Sequence, residues 1–487
     1  MASVNMSRRR LSLALPCGLA APALAAPPGG PRPNILFIQA DDLDYEIFSH
    51  MVKVRQLITE PGMEFVKHYC SLPLCVPSRV TMLRGQYAHN TRVMDNRDPY
   101  GGFDRFFQDG LESSTVATWL QGSGYRTGYM GKYLNGYPGE AVSAGLTYIP
   151  PGWTDWFVPN GGDEYRQLIY TVNDNGNTLS FNGDPKTHFH DVMTQQAVRF
   201  LRQAANDPVS RPFFLCVNPY LPHGPSMAPA RYLQLLPDVR LPRPPNFNEL
   251  DVSDKPRWVK QLPLLDEATI AQMGRLYRRR RQSALALDDM AQALVQALQS
   301  TGQLDNTYVF FTSDNGHFQG QHRIKGDKKR VYDENLRVPL VLRGPGIAAG
   351  RTVSHLTANV DLASTIAAMA GVTPPGFVDG RSLKPLFRGP GPARWRQTLL
   401  LECQPPEVNS VYQSYAGLRT TDDRTFALFA YGFGEYYDMR TDPYQLVNRH
   451  AALPPEVRTA FRVQLRSMRD AAGAALRRAE ETMVPRA

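Results

Sequence analysis

NILFIQADD, residues 34–42, is the stretch from which this chain is read. Four consecutive apolar residues, Ile35 to Ile38, suit a strand buried on both faces, and two aspartates stand at its carboxyl end. Open α/β sheets bind ligands outside the carboxyl ends of their strands, so Asp41 and Asp42 fall where a site would be built. By itself a DD pair is most simply a solvated loop. A second copy of the layout changes that reading. In NTYVFFTSDNGHFQGQH, residues 306–322, an apolar strand from Tyr308 to Thr312 runs into Asp314, Asn315 and Gly316. Three carboxylates and an amide oxygen from two strand ends make a hard oxygen site suited to Ca²⁺ or Mg²⁺, whereas zinc would call for histidine or thiolate.

Between these two segments lies YCSLPLCVPSRVTMLRGQYAHN, residues 69–90. Pro77 suits the opening of a helix and Gly85 its stop, which predicts a helix from about Pro77 to Arg84. Cys75 would then sit just before the positive end, where free backbone N–H groups favour anions, with Arg79 one turn along. Further on, SSTVATWLQGSGYRTGYMGKYLNGY reads as a helix capped by Ser114 or Thr115, then a strand from Tyr125 to Met130, then Lys132. RPFFLCVNPYLPHGP, residues 211–225, reads as a buried strand running into a proline-rich loop that carries His223.

The rest of the chain supplies the frame. HDVMTQQAVRFLRQA, residues 190–204, is helical in pattern, and residues 226–265 form a long proline-rich loop suited to framing a substrate entrance. Residues 266–299 are a strong helical pattern with Leu276, Leu285, Leu287, Met290, Leu294 and Leu298 along one stripe, and its arginines read as a solvated face. NVDLASTIAAMAGVTPP predicts a helix from near Asp361 to Gly371. RGPGPARWR, at 388–396, marks a boundary, so residues 33–390 are expected to form a catalytic domain and 391–487 a smaller α+β unit. That unit reads as antiparallel strands followed by one basic helix from Pro454 to Arg478.

Four of these motifs, in this order, carry a resemblance to the type I sulfatases. C-V-P-S-R-V-T-M-L-R-G resembles the first signature of that family, which implies that Cys75 is oxidised to formylglycine by a formylglycine-generating enzyme before export. GYRTGYMGKYLN resembles the second signature, with Lys132 in the place of its lysine. The histidine many members carry two positions later is Leu134 here, and the GKYLN form is similar to that of the glucosamine-6-sulfatase branch. His223 matches the P-H-x-P histidine that contacts the sulfate ester. Lys328, four residues before Tyr332, matches the K-x-x-x-Y-[DE] segment in preference to Lys329. The resemblance implies an alkaline-phosphatase-like α/β/α sandwich with a small C-terminal sheet domain. It also implies a cation, Ca²⁺ more than Mg²⁺, on Asp41, Asp42, Cys75, Asp314 and Asn315. The implied activity is cleavage of a sulfate monoester on a sugar or aryl group, with Arg79, Lys132, His223 and Lys328 around the sulfate. His317 and His322 lie near enough to the second acidic segment to touch substrate. The rival readings are a phosphonate monoester or phosphodiester hydrolase on the same site, and a sulfated-glycan binding protein with Cys75 unmodified.

Composition bounds these expectations. A chain of 487 residues, 42% hydrophobic and 20% charged, is long and apolar enough for a large core. Net charge is +9, but the basic residues are dispersed and no nucleic-acid motif accompanies them, which favours an anionic substrate or plain solubility over nucleic acid. Residues 1–25 read as a signal peptide: Arg8, Arg9 and Arg10, a modest apolar stretch, then Ala23, Leu24 and Ala25 before cleavage. Ser7 and the paired arginines lean toward twin-arginine export. No later run is long and apolar enough to span a membrane, so a periplasmic or secreted enzyme is expected. With Cys17 in the leader and Cys75 modified, Cys70, Cys216 and Cys403 allow one disulfide at most.

Overall fold

The computed structural model describes residues 32–139, 142–403 and 414–486; the leader, with Cys17 and the arginines at 8–10, lies outside them. The Asn34–Ala40 strand runs down the middle of a ten-stranded sheet. It pairs in parallel with Thr307–Ser313 on one side and with Phe213–Asn218 on the other. Arg126–Gly131 and Asp155–Gly162 continue the parallel run beyond Phe213–Asn218, and an antiparallel meander, Ile169–Asp174 and Asn177–Asn182, closes that edge. Beyond Thr307–Ser313 come Leu340–Arg343, Met63–Phe65 and Arg351–Val353, so the sheet is mixed.

Alternation along the central strand explains the three layers. Leu36, Ile38 and Ala40 face a core shared with the helices Phe189–Ala205 and Glu267–Ser300, while Ile35 and Phe37 face one shared with Cys75–Arg84, Val116–Gly122 and Asp361–Met369. Both faces are covered, which is why the strand reads as a continuous apolar run. Thr115, of the two candidate caps, caps the Val116–Gly122 helix and is answered by Thr118. Four antiparallel strands, Thr398–Cys403, Tyr415–Thr420, Arg424–Phe429 and Gly434–Asp438, form the small C-terminal sheet, backed by Phe461 and Leu465. The fold is an α/β/α sandwich with this sheet beside it.

Two expectations need correction. The final basic helix is two helices, Pro455–Arg469 and Gly473–Ala479, because the chain turns at Gly473 with φ of 55°. The arginines of Glu267–Ser300 are not all solvated, since Arg280 is buried. It lies three residues after Tyr277 and seven before Leu287, on the helix's buried stripe.

Candidate active site

Where two neighbouring strands stop decides the chemistry. Ala40 pairs with Ser313 in parallel register, so Asp41–Asp42 and Asp314–Asn315 leave the sheet side by side despite some 270 intervening residues. Asp42 turns with φ of 61°, a conformation aspartate tolerates. Its backbone N–H donates to Asp314 Oδ1 at 3.1 Å, and Asn315 Nδ2 donates to Asp42 Oδ1 at 2.8 Å. From the next strands Lys132 sends Nζ to Asp41 Oδ2 at 2.6 Å, and His223 brings Nε2 within 3.5 Å of Asp42 Oδ2.

The helix beneath begins at Cys75 itself, two residues before the expected start. Proline is tolerated anywhere in the first turn, where N–H groups lack intrahelical partners, so Pro77 did not mark the first residue. Cys75 is buried, its Sγ 3.5 Å from Asp41 Oδ1 and 4.0 Å from Asp42 Oδ1. Lys328 Nζ donates to that sulfur at 2.8 Å and lies 2.5 Å from Asp42 Oδ1, whereas Lys329 turns away to Asp95. Arg79 donates through Nε to Asp314 Oδ2 at 3.0 Å and through Nη1 to the Lys132 carbonyl at 3.0 Å. Ser78 Oγ donates to the Asp314 carbonyl at 2.5 Å, which pins the helix to the strand end.

Three buried carboxylates thus face three buried or nearly buried cations. Burial alone would raise the Asp41 and Asp42 carboxyls, but Lys132 chiefly for the first and Lys328 for the second, with His223, hold both below the usual range. Asp314 is raised, by burial and by Asp41 beside it. Burial opposes charge on Lys132 and Lys328 too, yet Asp41 and Asp42 respectively keep them protonated. Burial pushes the Cys75 thiol up to about 12 even with both lysines beside it, so unmodified Cys75 is a neutral thiol and a poor nucleophile. His223 Nδ1 donates to the Gly224 carbonyl at 2.7 Å, which turns Nε2 toward the carboxylates.

The donor set fits a hard divalent cation. Asn315 commits Nδ2 to Asp42 and the Gly316 carbonyl, leaving its Oδ1 buried with no donor, as a metal-binding amide oxygen would be. Ligand atoms of Asp41, Asp42, Cys75 and His223 all lie within 4.8 Å of one another. Asp314 stands slightly apart, its oxygens taken by Arg79 and by the N–H groups of Asp42 and Asn315.

Of the two further histidines, His317 adjoins Asp42, and burial with Arg280 nearby lowers its ring to about 3. His322 turns away, holding Glu249 at 2.5 Å and stacking on Tyr332. Arg280 is the contributor that the sequence reading missed. Its Nη2 donates to the Asp42 carbonyl at 2.7 Å and to Asp44 Oδ2 at 2.6 Å, fixing the turn that presents Asp42. The signal was its place on the helix's buried stripe.

Comparison with known proteins agrees with this geometry. Residues 33–372 match the family described as Sulfatase, and residues 320–470 match N-sulphoglucosamine sulphohydrolase, C-terminal. The chain is 31% identical over 491 residues to N-acetylglucosamine-6-sulfatase of Capra hircus, covering 91% of this chain and 85% of that protein. A solved structure of a protein in complex with its substrate D-glucosamine-2-N,6-O-disulfate superposes with TM-score 0.75 at 24% identity, over 90% of this chain and 98% of the other. A phosphonate monoester hydrolase from Silicibacter pomeroyi shares the fold at TM-score 0.70 and 22% identity, over 91% and 96% of the two chains. With one family match running from the first strand through both acidic strand ends, the chain belongs to the sulfatase family and is a sulfuric ester hydrolase.

Proposed function

We propose that the protein hydrolyses the sulfate monoester of a sulfated amino sugar, using formylglycine made from Cys75 as nucleophile. The observation that carries the reading is the meeting of two acidic strand ends beside the Cys75 sulfur, with the Asn315 amide oxygen left without a donor. Sugar over aryl sulfate is supported by the relatives named N-acetylglucosamine-6-sulfatase and by the glucosamine disulfate held by the structural neighbour, while a relative of Volvox carteri at 31% identity is named arylsulfatase.

A thiol that displaced the alcohol from sulfur would be left as a stable thiosulfate ester, whereas an aldehyde hydrate avoids that dead end. One hydroxyl of the hydrated residue 75 attacks sulfur in line and the sugar alcohol leaves. The second hydroxyl then loses its proton, its oxygen forms the carbonyl, sulfate departs, and water rehydrates the aldehyde. Asp41, Asp42, Asp314 and Asn315 would hold a divalent cation, Ca²⁺ in preference to Mg²⁺; when bound it supplies positive charge at the attacking and nonbridging oxygens. Lys132 and Lys328 carry fixed charge to the sulfate oxygens, and Arg79, held by Asp314 and the Lys132 carbonyl, orders the floor beneath them. His223 Nε2 or Lys132 Nζ delivers the proton to the leaving oxygen. The leader at 1–25 directs the enzyme to the periplasm or outside the cell; no described helix is long and apolar enough to cross a membrane.

Intact-peptide mass spectrometry of active enzyme tests the nucleophile. Residue 75 should have lost one sulfur and two hydrogens and gained one oxygen relative to cysteine. Cys75→Ala should abolish turnover while the protein remains folded. An unconverted thiol in active enzyme, or turnover by that variant, refutes the mechanism. Faster turnover of an aryl phosphonate than of any sulfate ester would favour phosphonate hydrolysis on the same site.

A further inference from the structure

The loop joining Asp155–Gly162 to Ile169–Asp174 places Tyr165 beside the reaction centre. Its exposed Arg166 pairs with Asp163 at 3.2 Å, so the loop's other carboxylate, Glu164, stays without a hydrogen bond or ion pair to another residue among those described. Glu164 is only partly exposed and borders a small cavity of about 60 Å³ shared with Lys132, Asn135, Tyr165 and Tyr220. A second acceptor there is also unmatched: Asn135 Nδ2 donates to the Tyr165 hydroxyl at 3.1 Å while its Oδ1 is buried without a partner. Tyr165 lines this cavity and also flanks the catalytic groups. Its partly exposed ring lies 4.6 Å from the His223 ring, centroid to centroid, and 5.3 Å from Lys132 Nζ.

We infer that Glu164, Tyr165 and Asn135 form a specificity subsite for the sugar ring that carries the sulfate, taking a donor-rich, non-acidic amino sugar. The sulfate sits on Lys132 and Lys328, and the ring bonded to it meets the face of Tyr165, whose apolar surface matches the C–H face of a pyranose. Two acceptors that no other residue's donor reaches, one of them charged, call for N–H or O–H groups and repel a uronate carboxylate. The subsite deepens the proposed function and rests on it.

Glu164→Gln, which keeps the shape of the side chain and removes its charge, tests this. In the converted enzyme, the ratio of kcat/KM for glucosamine 6-sulfate to kcat/KM for 4-nitrophenyl sulfate should fall by about tenfold or more. An unchanged ratio overturns the subsite. Calorimetric binding of glucosamine 6-sulfate on a Cys75→Ala background separates this from the mechanism. There, adding Glu164→Gln should weaken binding by a similar factor; equal affinity overturns the subsite even if the formylglycine reading fails.

Discussion

At the scale of single residues, buried charge is stable here only where a partner is within reach, and His89 shows this outside the active site. Its Nδ1 donates to Glu402 Oε2 at 3.0 Å and its other nitrogen faces the Ala471 carbonyl, so the ring ties the segment after the Cys75 helix to the small sheet. Burial pulls the ring down, but Glu402 outweighs it and raises the pKa to about 9. The folded value lies above the unfolded one, so the contribution is complete below about pH 6.5 and is lost as pH rises through about 9. Urea midpoints should therefore decline over that interval, by roughly 3 kcal/mol at most, and His89→Gln should remove the decline. Identical pH slopes for the two proteins would refute the assignment. A lone histidine in QYAHN gives no hint of this, because its partner lies more than 300 residues away.

At the scale of elements, the Cys75 helix is stopped by one residue whose conformation cannot be traded. Gly85 caps it with φ of 65°, and a Cβ added there would meet Val378 Cγ1 at 2.8 Å. Gly85→Ala should cost roughly 1–3 kcal/mol through left-handed strain and crowding, read as a lowered denaturant midpoint. An unchanged midpoint would mean that the turn relaxes freely. Helix ends of this kind were legible in sequence because caps and stops are local: Gly85, Thr115 and Asp266 all stand where their residue types suggest. The start at Cys75 and the break before Gly473 were not, since Pro77 tolerates several first-turn positions and the basic pattern runs on across the break.

At the scale of the molecule, the small sheet is joined to the sandwich through buried charge. Arg396 is fully buried, donating to both Asp361 oxygens at 2.6 and 2.7 Å and lying 2.9 Å from Glu480 Oε2. Asp361 opens a helix of the sandwich, and Glu480 follows the last helix. Removing the cation leaves buried Asp361 with no cationic partner among the described residues and Glu480 with Arg381 alone, so Arg396→Met should cost about 3–5 kcal/mol in chemical denaturation. Arg440→Met, at an exposed pair with Asp438, should leave the midpoint unchanged. Equal effects from the two substitutions would show that burial does not govern these pairs.

The chain's sequence by itself determined the strands that end in acids, the helix under Cys75 and the class of chemistry, because each is written within a dozen residues. Only the tertiary structure decided which charges meet: that Arg280 holds the Asp42 turn, that Lys329 pairs with Asp95, and that Arg396 lies between Asp361 and Glu480. Such pairings join positions that only strand register and helix packing bring together, and no local pattern encodes them.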